Sequence, residues 1–233
     1  PNLDEVFKAI KLILNKDGIF VFEDPYILSV LNNNSYDQFY DEHAHVFSLM
    51  AVSKVIEKYK LKIFDIEKLE THGGSIRYYI SHSDSKFKVK KIVKKFLDKE
   101  IKSKLNKFNT YKKFGQRVKK SKKDLRSILL KIKKSGKKVV SYGATYKSAT
   151  VFNYCKINNK LIEYVIDTTE NKQNKFTPGS HLKIFSPKKQ PIENVDYYFL
   201  GAWNFKKEIL KKEKLFIHKG GKFISHVPKV KIL

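Results

Sequence analysis

The sequence predicts an α/β protein made of two lobes joined by a helical connector. Hydrophobic residues make up 41% of the 233 residues, which is enough to form a sizeable core. Apolar residues at helical spacing alternate along the chain with short apolar runs typical of buried strands. The connector contains no proline and only one glycine, which indicates long helices. We place the boundaries at residues 1–85, 86–135 and 136–233.

The first lobe is predicted to alternate helices and strands. Residues 6–14 have apolar side chains at helical spacing, and the buried strand predicted at 19–23 follows a turn. A second helix is predicted over 48–59. The strand predicted at 61–67 alternates in polarity, and the last strand, 75–80, follows a pair of glycines.

The connector is predicted to consist of amphipathic helices with one lysine-covered face. Between Lys86 and Lys138 the chain has 23 basic and three acidic residues, so this segment carries most of the net charge of +26. Charged outer faces are usual for surface helices, and the pattern therefore favours a solvated connector.

A basic segment of this kind also raises nucleic-acid binding as an alternative. Only three arginines occur in the chain. Planar guanidinium groups, each of which can bind a phosphate or a base edge through two hydrogen bonds, are therefore scarce. A basic surface without a recognisable reading motif is weak support. Nucleic-acid binding through residues 86–138 is therefore the less favoured hypothesis.

The second lobe begins with a strand that leads through a glycine turn, at Gly143, into a helix. Backbone N–H groups at a helix start favour anions, and Lys147 adds a positive charge. The next strand ends in Asp167, 24 positions after Gly143, a spacing that suits hydrogen bonds to a ribose. Only one glycine of the dinucleotide-binding pattern is present, so a plain strand-to-helix turn explains these residues equally well. Strands at 197–200 and 222–224 complete a small parallel sheet.

A phenol, a carboxylate and an imidazole lie within four positions at Tyr40, Glu42 and His43. Histidine has the ordinary pKa nearest neutrality, so a neutral His43 can accept a proton while Glu42 and Tyr40 hold a substrate or stabilise developing charge. The same residue types also occur together on half-exposed surfaces for structural reasons alone. From these residues by themselves, both interpretations stay open.

Composition limits the other classes of site. The single cysteine, Cys155, allows neither an internal disulfide nor a thiolate metal site built from this chain, and we predict no metal site in it. The first residues have no basic, apolar leader pattern, and no run of 18 apolar residues occurs. We therefore expect a cytoplasmic protein without a membrane segment.

Ordered motif blocks along nearly the whole chain resemble the C-terminal part of S-adenosylmethionine-dependent C-methyltransferases that act on nucleotide-linked keto-deoxysugars. Any one block is weak, whereas the series in this order is specific. The blocks are Glu23-Asp24-Pro25-Tyr26, Phe39-Tyr40-Asp41-Glu42-His43, His72-Gly73-Gly74-Ser75-Ile76-Arg77, Tyr142-Gly143-Ala144-Thr145-Tyr146-Lys147, Asn153-Tyr154-Cys155, Thr177-Pro178-Gly179, Ala202-Trp203-Asn204-Phe205 and Gly220-Gly221-Lys222-Phe223-Ile224.

The resemblance implies the C-terminal part of a class I methyltransferase sheet, followed by the connector and a Rossmann-like second lobe. It also implies carbanion chemistry, in which a base removes a proton from the carbon beside a ketone and the enolate attacks the methyl group of a sulfonium. By resemblance His43 is the base, and Glu42 and Tyr40 orient the sugar or the imidazole. The substrate-binding residues it implies are Ser75, Arg77, Gly143, Lys147 and Asn153.

The sequence departs from the family pattern in three respects. Asp41 replaces a histidine of the family's block, and Ser148 stands where a glycine often follows the lysine. Family members also begin with a zinc-binding region and a glycine-rich turn that holds S-adenosylmethionine, and neither pattern occurs in these residues. We therefore expect zinc and most of the S-adenosylmethionine site outside this chain.

Three origins explain these absent regions, and the sequence leaves all three open. The chain is a fragment of a longer enzyme, a split subunit that needs an N-terminal partner polypeptide, or a chain that has lost catalysis. A non-catalytic module that binds nucleotide sugars is the alternative function, and in every case the expected small-molecule partner is a nucleotide-linked keto-deoxysugar.

Overall fold

The computed structural model describes residues 2–233 and shows a mixed α/β chain. Within these residues there are eight α-helices, nine strands and several short 3-10 turns. The helices are α1 (Leu3–Ile13), α2 (Ile27–Asn33), α3 (Leu49–Glu57), α4 (Lys91–Lys102), α5 (Phe108–Lys134), α6 (Tyr146–Cys155), α7 (Lys206–Lys212) and α8 (Lys214–His218). The strands are β1 (Phe20–Pro25), β2 (Leu61–Leu69), β3 (Ser75–His82), β4 (Val139–Tyr142), β5 (Val165–Ile166), β6 (Ile184–Phe185), β7 (Tyr197–Leu200), β8 (Lys222–Ser225) and β9 (Lys231–Ile232).

The chain divides into two compact units that are not continuous in sequence. The first unit contains the residues up to Asn32 together with Asp41–Phe114. The second unit contains Asn33–Tyr40 and Gly115–Leu233. The boundary thus falls inside the Tyr40–His43 stretch, since Tyr40 belongs to the second unit and His43 to the first. The three-part division of the sequence analysis stays a prediction.

The first unit is built on a three-stranded antiparallel sheet in the order β1-β3-β2. The last strand of this unit, β3, lies in the middle and pairs Phe22 with Tyr78 on one side and Ile63 with Ile80 on the other. All three predicted strands of this lobe are present. The sheet is consistent with the C-terminal part of a methyltransferase sheet.

Helices α1, α3 and α4 pack on this sheet and form the core of the first unit with it. Ile76, Tyr78 and Ile80 of β3 are fully buried, as is Leu49 at the start of α3. The helices form where the apolar spacing predicts them, and α1 begins where the Asn2 side chain accepts a hydrogen bond from the backbone N–H of Asp4.

The second unit has a six-stranded sheet in the order β6-β5-β4-β7-β8-β9. Five strands are parallel, and β9 is antiparallel to β8, so the sheet is mixed rather than purely parallel as predicted. The chain order reverses between β4 and β7, which makes the carboxyl ends of these strands the usual place for a ligand in such a sheet.

The lysine-rich segment forms the helices α4 and α5, in agreement with the sequence pattern. Leu125, Leu129 and Ile132 of α5 are buried, while most of the lysines are exposed. Helix α4 belongs to the first unit, and α5 runs from the first unit into the second. No helix in the described part of the chain combines the length and the apolar character needed to cross a bilayer.

Candidate functional site

In the first unit, His43 lies against a second histidine, His72. The two ring centroids are 5.3 Å apart and the rings are nearly perpendicular, at 87°. His43 is half-buried, whereas Glu42 beside it is exposed. The His43 ring thus packs edge-on against an aromatic neighbour, and part of the residue stays open to solvent.

The turn that carries His72 adopts a left-handed backbone conformation. The φ angles are 55° at His72, 83° at Gly73 and 128° at Gly74. A Cβ atom at Gly74 would lie 2.5 Å from the Ser29 Oγ, so close packing against α2 requires glycine there. A positive φ is uncommon for histidine and costs free energy, so the backbone is strained at the residue that packs against His43.

Two predicted substrate-binding residues follow on β3, and both side chains are engaged within the first unit. The Ser75 hydroxyl donates to the Thr71 carbonyl oxygen at 3.0 Å and is fully buried. The Arg77 guanidinium donates to Glu67 at 2.9 Å and to Glu23 at 3.2 Å, and Tyr79 together with these two carboxylates raises its pKa. Ser75 therefore shapes the turn, and Arg77 joins the neighbouring strands β1 and β2.

In the second unit, the Tyr40 ring contacts both an aromatic ring and a lysine ammonium group. Its ring stacks nearly parallel on Tyr146, with centroids 5.4 Å apart and an angle of 6°. The Lys147 ammonium lies 5.5 Å from the Tyr40 ring centroid, and Lys147 is buried. Such contacts fix the plane of the phenol ring. The lysine predicted to bind phosphate thus contacts the predicted catalytic tyrosine.

The segment before Tyr40 is anchored in the second unit by buried polar groups. The Asp37 carboxylate is fully buried, accepts a hydrogen bond from the Trp203 indole N–H and lies 3.3 Å from the His226 Nε2. One residue earlier, the Tyr36 hydroxyl lies 3.5 Å from the Cys155 Sγ, and burial raises the pKa of both groups. These contacts fix the position of the chain directly before Tyr40.

Gly143 lies at the carboxyl end of β4, as predicted, in a turn closed by protein groups. Its φ is 99°, and a Cβ atom would lie 2.8 Å from that of Ala202. The Asp167 carboxylate accepts from the backbone N–H groups of Ala144, at 2.7 Å, and Thr169, at 2.8 Å. Backbone conformation and packing therefore explain the glycine, and Asp167 stabilises the turn rather than presenting both oxygens to a ribose.

The N-terminus of α6 and the predicted ligand Asn153 are also tied to the fold. Thr145 and Ser148 form a capping box, with the Ser148 N–H donating to the Thr145 hydroxyl at 3.0 Å. The Asn153 side-chain amide donates to the carbonyl oxygens of Ala149, at 2.9 Å, and Pro178, at 3.0 Å. Asn153 thus links α6 to the Thr177-Pro178-Gly179 loop.

Gly18 and Gly74 of the first unit are explained by close packing rather than by space for S-adenosylmethionine. The glycine pair leads from a 3-10 turn into β3, and Gly74 packs against Ser29 rather than leaving space for a ligand. Gly18, its other glycine, lies in the turn between α1 and β1 and packs against Leu14. We therefore assign no residue of this chain to the methyl donor.

Comparison of the sequence with known proteins identifies its family. A sequence model of the C-methyltransferase C-terminal domain matches residues 70–228. The chain belongs to the C-methyltransferase family. It is similar to the C-methyltransferase NovU of Streptomyces niveus, with 32% identity over all 233 residues, which correspond to 56% of NovU. The resemblance seen in the motif blocks is thus confirmed, and the chain spans little more than half of this C-methyltransferase relative.

Two residues that contact or anchor the Tyr40–His43 stretch were not singled out from the sequence, His72 and Asp37. His72 stood in a recognised block, but its contact with His43 depends on a left-handed turn 29 positions further along the chain. Asp37 gave no signal, because it lies in a polar run that predicts a surface loop. The glycine pair directly after His72 was the one local signal of an unusual backbone conformation there.

Proposed function

We propose that the protein carrying this chain methylates the carbon beside the ketone of a nucleotide-linked keto-deoxysugar, with S-adenosylmethionine as the methyl donor. The observation that carries the proposal is His43, a partly accessible imidazole oriented by His72 in a C-methyltransferase chain. Transfer to carbon needs a carbanion, and a neighbouring ketone makes the C–H bond acidic enough for an imidazole to act as base.

The residues of this chain act in the formation of the enolate. The proton moves from the sugar carbon to the His43 imidazole, and the electron pair of the broken C–H bond moves toward the ketone oxygen. The Tyr40 hydroxyl donates a hydrogen bond to the oxygen on which charge develops, and Glu42 orients the imidazole or the sugar. Tyr40 suits this role because Tyr146 and Lys147 hold its ring.

We assign His72 the role of positioning His43. Replacing His72 with Asn keeps a residue that tolerates the left-handed conformation but removes the ring against which His43 packs. We expect kcat to fall roughly tenfold with KM unchanged and the pH profile shifted, which corresponds to about 1.4 kcal/mol. An unchanged rate and pH profile would contradict this role.

The experiment that tests the function is methyl transfer by the natural protein that contains this chain. Nucleotide-linked keto-deoxysugars are offered with S-adenosylmethionine labelled in its methyl group, and NMR locates the label. We expect label on a carbon next to the ketone and none when the ketone is reduced to an alcohol. Label on oxygen, or binding of the nucleotide sugar without any transfer, would overturn the proposal, and the second result would favour a binding module.

The nucleotide part of the substrate is proposed to contact the second unit. Gly143 and Lys147 lie at the start of α6, where Lys147 contacts the Tyr40 ring and the Gly143 N–H donates to the Ile166 carbonyl oxygen, whereas Asn153 lies in the last turn of the helix. Asn153 acts through the loop that it holds. Arg77 and Ser75 are proposed to act on the substrate side of the first unit by shaping the surface near His72.

A further inference from the structure

Lys147 is a buried lysine at a position where the local structure favours an uncharged residue. It is the second residue of α6 and is only 6% exposed. Val151 and Cys155, four and eight positions further along the same face of the helix, are fully buried. Lysine is rarely buried without a partner, and the helix dipole opposes a cation at a helix N-terminus. The packing of α6 therefore does not account for a positive charge here.

The charge of Lys147 acts on Tyr40. The ammonium nitrogen lies over the Tyr40 ring, 5.5 Å from the ring centroid. A cation at this distance is attracted to the electron-rich face of a phenol ring. The attraction grows as negative charge develops on the phenol oxygen, because a full charge interacts more strongly than a quadrupole. Lys147 therefore favours the state in which the Tyr40 hydroxyl shares its proton with another oxygen.

The geometry between Lys147 and Tyr40 is fixed from the α6 side. Tyr146, the residue before Lys147, stacks on the Tyr40 ring with an angle of 6° between the ring planes. The capping box of Thr145 and Ser148 fixes the first turn of α6, which carries both residues. The ammonium group therefore need not move as the reaction proceeds, and charges that are preorganised in this way stabilise a transition state most effectively.

The other charged residues close to Tyr40 in sequence act on its hydroxyl less directly. The Asp37 carboxylate is engaged by the two side chains described above. Asp41 and Glu42 are exposed, so solvent and salt screen their charges. Burial leaves the charge of Lys147 less screened than theirs.

We propose that Lys147 is a positioning residue for Tyr40, whose ammonium group strengthens the phenol as a hydrogen-bond donor to the ketone oxygen. The inference rests on the proposed function, which supplies the ketone. This role replaces the direct phosphate contact that the sequence pattern favoured for Lys147. Lys147 makes and breaks no covalent bond, and its charge acts only through the tyrosine. Removal of the charge is therefore expected to slow the chemical step and to leave the affinity for the nucleotide sugar unchanged.

Steady-state kinetics of the natural protein that contains this chain test the effect on the reaction. We expect Lys147→Met, which nearly keeps the side-chain length, to lower kcat at least about tenfold and to change KM less than about twofold. Lys147→Arg, which keeps the charge, should retain more of kcat than the methionine variant. In a Tyr40→Phe background, Lys147→Met should change kcat less than about twofold, because the hydroxyl through which it acts is gone. Lys160→Met, an exposed change in the same unit, serves as the control.

The titration of Tyr40 tests the same contact without any activity. The natural protein is prepared with 3-fluorotyrosine, whose phenol is acidic enough to titrate below lysine, and ¹⁹F NMR follows each ring. The Tyr40 signal is identified by its loss in Tyr40→Phe. We expect Lys147→Met to raise the pH midpoint of this signal by at least about one unit, since loss of a nearby positive charge disfavours the phenolate. Lys147→Gln is the second variant if Lys147→Met lowers the thermal unfolding midpoint.

The two measurements separate this inference from the proposed function. An unchanged midpoint of Tyr40 would overturn the inference, whatever reaction the protein catalyses. In an active protein, an unchanged kcat of Lys147→Met would also overturn it, and an accompanying rise in KM would make Lys147 a phosphate ligand. A shifted midpoint in a protein that transfers no methyl group would support the action of Lys147 on Tyr40 and would refute the function.

Discussion

Two fully buried carboxylates, one in each unit, anchor the chain before and after the Tyr40–His43 stretch, and their hydrogen-bond partners differ in kind. In the second unit, Asp37 depends on side chains, the Trp203 indole and the neighbouring His226. In the first unit, Glu100 of α4 accepts from the backbone N–H groups of Leu49 and Met50 at 2.7 and 2.8 Å. The chain before Tyr40 is therefore anchored by side-chain partners of Asp37, which mutation can remove. The chain after His43 is anchored where Glu100 binds backbone N–H groups at the start of α3.

The backbone partners of Glu100 make it the more costly residue to change. Burial raises the pKa of Glu100, and the two N–H donors at the start of α3 oppose that shift. Both donors are backbone groups that no substitution removes, whereas the Trp203 and His226 partners of Asp37 are side chains that mutation can change. The three tests below are ordered by the size of the expected effect.

Glu100→Gln is expected to have the largest effect on stability. Glutamine keeps one accepting oxygen, but its NH₂ group faces the second backbone N–H, which leaves a buried donor unsatisfied. We expect a loss of about 3 kcal/mol in the free energy of unfolding, measured by urea denaturation, and faster hydrogen exchange at Leu49 and Met50. Glu57→Gln, an exposed change at the end of α3, should cost less than about 0.5 kcal/mol. Equal stability of the two variants would contradict the role of Glu100.

Trp203→Phe is expected to have an intermediate effect. The variant removes the indole donor and leaves the buried Asp37 carboxylate without this hydrogen bond, at a cost of about 2 kcal/mol. A double-mutant cycle with Asp37→Asn should show a coupling energy of about 1 kcal/mol. Phe205→Leu, in the same 3-10 turn, should show no coupling to Asp37. Additive effects of Trp203→Phe and Asp37→Asn would argue against the contact.

A third carboxyl group, that of Asp24 on β1, has a buried oxygen that accepts no hydrogen bond, and its pKa is raised. Its Oδ1 atom is buried without a hydrogen-bond partner, and burial raises the pKa of Asp24 to about 7. Because the pKa in the folded protein exceeds the unfolded value of about 3.9, folding takes up a proton between these values. This contribution to stability is present below about pH 4 and is lost as the pH rises to about 7.

Asp24→Asn is therefore expected to have the smallest and most pH-dependent effect. The neutral amide avoids burying a charge, so the variant should be more stable than the parent at pH 8, by about 1 to 2 kcal/mol, and nearly equal to it at pH 4. Denaturation at the two pH values measures the difference. Asp84→Asn, an exposed change in the same unit, serves as the control. A stability difference that does not vary with pH would show that Asp24 titrates normally.

The sequence predicted those parts of the fold whose signals are local. Apolar spacing located α1, α5 and the strands of the first sheet. The order of strands in the second sheet, with β9 antiparallel, depends on pairings between distant segments and had no local signal.

The candidate site was predicted in its residues more fully than in its contacts. The motif blocks selected Tyr40, Glu42 and His43, whose catalytic roles stay proposals. They did not predict that Lys147 is buried beside Tyr40, or that Arg77 is engaged by two glutamates. A motif records which residue types occur together, whereas burial and pairing depend on how the chain folds around them.

The central claim is that His43 removes a proton from the sugar carbon beside the ketone, and solvent deuterium exchange measures that step directly. The natural protein containing this chain is incubated in D₂O with the nucleotide-linked keto-sugar, without methyl donor, and NMR follows deuterium at that carbon. We predict that His43→Ala slows the exchange at least about 100-fold, while His45→Gln, which changes the histidine two positions further along the chain, leaves it nearly unchanged. Exchange at the parent rate in a folded His43→Ala protein would contradict the account.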